Sequence, residues 1–267
     1  MSTRAKIIGT LFAVEVALFG AIVYFLGGAP THAASVNIGG DRIVAAIDAG
    51  SAPHVVVSDP DSRVVLSVSN DGRVRVTDRS LLHGWMLGGP HEIPPVRVTR
   101  TEDGVRIERA AYAQHRFMMF GSSTERVEIE LPAQASVDVV KSSGSNASGL
   151  QGTLAIRSQD GRIEMHDMTT ASITAHSDDG RIILDGALQP NGHYILSTAD
   201  GRIRVQYRNA AGLAIHAHTQ DGSIRIDGRR ITNDDSAPTY DAAGTADGKL
   251  DAQTQNGSIT INTTGVR

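Results

Sequence analysis

A four-residue device constrains this chain more than any other feature: Ser or Thr, any residue, Asp or Asn, then Gly. Eight copies occur, at Asp71-Gly72, Asp103-Gly104, Asp160-Gly161, Asp179-Gly180, Asp200-Gly201, Asp221-Gly222, Asp247-Gly248 and Asn256-Gly257. In seven of them a branched apolar residue follows two positions after the Gly. The chemistry is that of a tight turn, because Asp or Asn bonds its own backbone and Gly takes positive φ without a Cβ clash. Structural turn roles therefore fall to Asp71, Gly72, Asp160, Gly161, Asp179, Gly180, Asp200, Gly201, Asp221, Gly222, Asn256 and Gly257, with positive φ expected at Gly180. One such turn constrains little, but eight imply a repeat protein.

The copies at Asp160, Asp179, Asp200 and Asp221 lie 19, 21 and 21 residues apart. Aligned, they give four apolar columns: Leu154, Ile173, Tyr194 and Ile215; Ile156, Ala175, Leu196 and Ala217; Ile163, Ile182, Ile203 and Ile224; Met165, Leu184, Val205 and Ile226. The last copy continues them with Leu250, Ala252, Ile259 and Ile261, and Val96, Val98, Val105 and Ile107 keep a similar spacing. Each flank alternates apolar with polar, the period of a half-buried strand. Two all-β folds satisfy this pattern. A two-residue Asp-Gly loop could close hairpins in an antiparallel meander. Alternatively, each block of about 20 residues is one coil of a single-stranded β-helix, or β-solenoid. Only the solenoid also explains why one column holds Ile four times running, so it is the fold expected.

The N-terminus is different material. Ile7 to Leu26 carries one charge, Glu15, and follows Arg4 and Lys6, with no further Lys or Arg until Arg42. That asymmetry predicts a cytoplasmic tail at 1–6, a transmembrane helix at 7–27 and everything beyond it exported. Glu15 costs about 3 kcal/mol at mid-span, less than the roughly 4–7 kcal/mol returned by twelve Ile, Leu, Phe and Val residues. The alternative is a signal peptide to residue 33, cleaved before Ala34. Residues 28–40 read as linker and 41–267 as the β-strand-repeat ectodomain, most regular at 137–230. Within it, the segment from His83 to Pro90 reads as a loop, and Phe117–Phe120 as an irregular apolar piece. In a bacterium, the anchor reading places the body in the periplasm or on the outer face of a single-pass inner-membrane protein.

The net charge of −4, without Lys or Arg runs, argues against a nucleic-acid partner. The absence of cysteine excludes disulfides, thiol catalysis and zinc-cysteine sites.

The strand Val127–Leu131 ending at Pro132, the Ser/Gly stretch Ser142–Gly149 and the serial Ser/Thr-x-Asp/Asn-Gly-x-Ile units behind one N-terminal anchor resemble the bacterial putative-adhesin family of β-strand-repeat proteins, a domain of unknown function. The similarity covers roughly 120–230 well and 41–119 loosely. It implies a β-helix-like ectodomain on the bacterial envelope, and it supplies no catalytic residues.

Calcium β-rolls need ligands at every turn of a nonapeptide, whereas here one Asp recurs per coil of about 20 residues. His216 and His218 share an outward face with His176, which the alignment places two coils from His218 with Ser197 between. That is too far for convergence on one zinc ion. Arg73, Arg162, Arg181 and Arg202 each follow a turn Gly, and the periodic Asp160, Asp179 and Asp200 are expected to neutralise them. Outward columns bring no carboxylate pair into register, and aromatics are only 4%, which argues against a carbohydrate-active β-helix enzyme. No catalytic, cofactor or metal residues are therefore assigned. The expected function is a non-catalytic, membrane-anchored binding or scaffold module with an envelope protein or glycan partner. The alternatives are an accessory of an envelope-stress signalling complex, suggested by Glu15, and the β-helix enzyme.

Overall fold

The computed structural model describes residues 34–87, 93–111, 117–208, 212–231 and 237–263. Regular structure among them is all β. The expected transmembrane segment 7–27 lies outside the described residues, and among those described no helix is long and apolar enough to cross a membrane.

The chain divides into two compact units. The smaller is built around a three-stranded sheet of Ala34–Gly39, Leu81–Leu87 and Phe117–Thr124, with Leu81–Leu87 in the middle. Three segments read above as linker, loop and irregular piece are thus strands. Their non-local pairing leaves no periodic mark in the sequence.

The larger unit is a β-solenoid. Its coils pair in parallel, residue for residue: Leu154, Ile173, Tyr194, Leu250 and Ile215 form one ladder, and Ile163, Ile182, Ile203, Ile259 and Ile224 another. The Ile ladder is fully buried. Each such side chain contributes about 1.5–3 kcal/mol on leaving water, and like side chains stack without a change of shape from rung to rung. The antiparallel meander is thereby overturned. Antiparallel pairs flank the stack instead: Arg42–Ile47 with Val74–Asp78, Arg97–Arg100 with Gly104–Glu108, and Ala214–Ile226 with Arg229–Ile231 and Thr239–Ala242.

Spatial order departs from sequence order at both ends of the stack. Lys249–Thr263 lies between His193–Arg208 and Ala214–Ile226, parallel to both. The stack also begins earlier than the Asp-Gly motif suggests. His54–Val68 pairs with Ser136–Ser148 on one side; on the other it meets Gly104–Glu108 with its first half and Arg126–Leu131 with its second.

Tyr194 is the one aromatic in its apolar ladder. It is accommodated because its buried hydroxyl donates to the Thr170 carbonyl (2.9 Å) and accepts from the Gln189 amide (2.7 Å). The two-residue Asp-Gly hairpin of the rejected meander does exist, at Asp227-Gly228. Both residues there are left-handed (φ 48° and 78°), and Ile226 faces Arg229 across the turn.

Candidate functional site

The repeated motif is where each coil changes face. Before it, inward residues fall two apart and end on its Ser or Thr; after it, the next inward residue comes five later, as from Thr198 to Ile203. The motif absorbs one step of strand phase so that both flanks point to the same core. In three copies the strand runs unbroken through it, with Asp200, Asn256 and Asp221 in register and Gly201, Gly257 and Gly222 beside them.

The glycines of these corners do not have the conformation expected. Among the described turn glycines, only Gly72 is left-handed in the sense predicted, at φ 70°, and Gly161, Gly180, Gly201, Gly222 and Gly257 are not at positive φ. Their constraint is space. A Cβ at Gly180 would overlap the Gly161 carbonyl oxygen, one at Gly201 that of Gly180, one at Gly257 that of Gly201, and one at Gly222 that of Gly257. Gly is therefore required because adjacent coils approach backbone to backbone. At Asp71-Gly72 the expected turn chemistry is present: the Arg73 amide donates to Asp71 Oδ1 (3.2 Å), which, with Arg75 nearby, holds that carboxyl below its usual range.

The Ser or Thr of the five stacked motifs, Ser158, Ser177, Thr198, Thr219 and Thr254, given no role from sequence, is buried and ties coil to coil. The Ser158 hydroxyl donates to the Ser142 carbonyl (3.2 Å), Ser177 to Gly161 (3.1 Å) and Thr198 to Asp178 (3.3 Å). The same column continues through Ser142 to Asp59, its register partner in the preceding coil. There it becomes ionic. Arg109, just past the Ser58–Glu108 pair, sets its Nε 3.1 Å from Asp59 Oδ2, its Nη2 2.6 Å from Asp78 Oδ1 and its Nη1 2.8 Å from the Ser80 hydroxyl. All four residues are buried. Burial pushes the Asp59 carboxyl up, against the pull of Arg109.

Outside, the insertion of Lys249–Thr263 moves His218 further from His176 than the alignment implied. The column runs His176, Ser197, Gln253, His218, so three strand spacings separate the two rings. His176 instead bonds Ser197 (2.9 Å) and Asp178 (3.0 Å), and His218 bonds Thr239 (3.0 Å). Among the described residues no group of three or more His, Cys, Asp or Glu is placed to hold a metal. The Arg ladder differs from expectation too. Arg162 pairs with Glu164 (3.0 Å), while Arg181 and Arg202 make no ion pair with the periodic Asp residues. An open groove of about 530 Å³ passes over these corners, lined by Asp179, Arg181, Asp200, Arg202 and Ser258.

Residues 139–262 match the family model described as Toastrack, DUF4097. This segment is similar to a Toastrack domain. The match supports the putative-adhesin resemblance drawn from the Ser/Thr-x-Asp/Asn-Gly-x-Ile units. None of the curated proteins matches the chain. Among solved structures, a putative cell adhesion protein of Clostridium sporogenes aligns over 85% of this chain and 99% of its own, at 11% identity and TM-score 0.53. A putative adhesin of Bacteroides fragilis aligns over 84% and 95%, at 12% identity and TM-score 0.41. The likeness to the first shows a shared fold.

The Toastrack-like segment contains the five stacked corners from Asp160-Gly161 to Asn256-Gly257, the hydroxyl column and the inserted strand. The Asp59–Arg109–Asp78 cluster and the Asp71-Gly72 turn lie before it. The regular outward surface therefore lies in the Toastrack-like part, and the ionic end of its polar column comes from the preceding coils.

Proposed function

We infer that the chain presents a non-catalytic, adhesin-like β-solenoid as a binding or scaffold module of the bacterial envelope, held to the inner membrane by residues 7–27. The observation that supports this most is the outward side of the parallel stack. Side chains stand there in columns about 4.8 Å apart, a rigid and repetitive surface suited to an extended partner. The Toastrack match and the fold shared with a putative cell adhesion protein point the same way.

The test uses the full-length protein. It is expected to stay in the membrane fraction after alkaline carbonate, and, in detergent, to co-sediment with purified envelope fragments. A soluble mature chain beginning at Ala34 would remove the anchor from the proposal. Failure to sediment with any envelope fraction would remove the binding role.

A further inference from the structure

The outward face that follows the corners gathers arginines that the sequence scatters. Arg181 and Arg202 are register partners, and the next outward column runs Arg204, Thr260, Arg225, Arg230 across four neighbouring strands. At strand spacings of about 4.8 Å, Arg204 and Arg225 lie about 10 Å apart and Arg225 and Arg230 about 5 Å. Arg202, Arg204, Arg225 and Arg230 are exposed, and none of the five makes an ion pair with a described residue. The contrast with the preceding coils is direct, since Arg63, Arg75, Arg79 and Arg126 are each paired with carboxylates there.

Insertion of Lys249–Thr263 creates this face. Its second half, Ser258–Thr263, carries no charge and lies between the Arg202–Arg204 row and the Ser223–Arg225 row. Nearby acids are few or engaged. The Asp227 carboxylate accepts from the Thr263 amide (2.7 Å) and hydroxyl (2.8 Å), and Asp200 accepts from Asn256 Nδ2 (2.6 Å). Asp185 and Asp221 stand at the margins, opposite Gln206 and Asn256. In a chain of net charge −4, such a local excess of guanidinium is an electrostatic landmark.

We propose that this face, centred on Arg204, Arg225 and Arg230, is a docking surface for an acidic polysaccharide. Guanidinium forks bind carboxylate or phosphate groups in bidentate fashion, and Ser223, Ser258 and Thr260 supply hydroxyls between them for sugar hydroxyl groups. A polar polymer fits better than a bilayer: among the described residues the large exposed apolar side chains, Ile43, Val68, Leu81, Val140 and Ile195, all lie elsewhere, so no described residue of the face wedges into acyl chains.

This rests on the binding role inferred above, and the test separates the two. Full-length protein in detergent is titrated with polygalacturonate at roughly 50 mM and 200 mM salt, using wild type, the triple variant Arg204→Gln/Arg225→Gln/Arg230→Gln, and a control of equal charge change, Arg73→Gln/Arg97→Gln/Arg100→Gln. Wild type is expected to bind in a salt-sensitive way, the triple variant to lose about tenfold or more in affinity, and the control to stay within about twofold. Equal loss in both variants, no binding by wild type, or preference for phosphatidylglycerol vesicles over the polysaccharide would each overturn the proposal. If the triple variant still co-sediments with envelope fragments as wild type does, the face is wrong while the binding role stands. If wild type binds no envelope fragment, the broader role fails first.

Discussion

The same Asp-Gly pair is used for different physical reasons in two regions of the solenoid. At Asp71-Gly72 the glycine is left-handed and an added Cβ would meet nothing within 4 Å, so the constraint is conformational. At Gly180 and Gly201 the backbone is not left-handed and an added Cβ would overlap the neighbouring coil, so the constraint is steric. The inward polar column changes character between the same regions. It is a run of neutral hydroxyls in the Toastrack-like segment and a buried ion cluster in the coils before it. A shared motif therefore does not imply a shared cause, and substitution can tell the causes apart.

The largest effect is expected from Arg109→Leu, which leaves Asp59 and Asp78 buried without their cation. It should cost about 3–5 kcal/mol in urea unfolding. Next comes Gly180→Val, at about 3 kcal/mol, because the Gly161 backbone must move; Gly180→Asn should be no milder than Gly180→Ala. In the other region Gly72→Ala should cost about 1–2 kcal/mol as left-handed strain, and Gly72→Asn clearly less, since Asn tolerates that conformation. If Asn rescued Gly180 as it rescues Gly72, the two constraints would be one. Smaller again is Ser177→Ala, at about 1 kcal/mol for the lost bond to the Gly161 carbonyl. The subtlest effect is a slope. The Asp59 carboxyl is raised in the folded state, so its contribution favours folding at acid pH and is lost as pH rises through the folded pKa. Wild type should accordingly gain stability relative to Asp59→Asn as pH falls towards the ordinary aspartate range. The opposite slope would mean that Arg109 outweighs burial.

The core was legible because identical apolar residues repeat at fixed offsets from the Ser or Thr, and stacking preserves those offsets. The same template also fits Val55, Val57, Asp59, Val64 and Leu66, a copy hidden because Pro60-Asp61-Ser62 replaces the Asp-Gly corner. A search on the offsets, with Asp59 in the Ser or Thr place, was the signal that could have found it. Arg109 follows Val105 and Ile107 at the same spacing, but its second flank, Val127 and Ile129, resumes only after an insertion. The reason for glycine could not be read locally either, since it depends on a carbonyl of the neighbouring coil, 19 residues away for Gly180 and 56 for Gly257. The arginine face depends on which strands become neighbours, and no repeat period specifies that.

The inserted strand has a consequence in time. A ribosome delivers Ala214–Ile226 before Lys249–Thr263, yet the finished stack holds the later strand between His193–Arg208 and the earlier one. Coils cannot simply be laid down in the order they are made. Either the edge of His193–Arg208 waits unpaired until Lys249–Thr263 arrives, or Ala214–Ile226 docks there first and must be displaced. Growth of this solenoid is thus not vectorial at this end, and its completion depends on a segment synthesised after both of its neighbours.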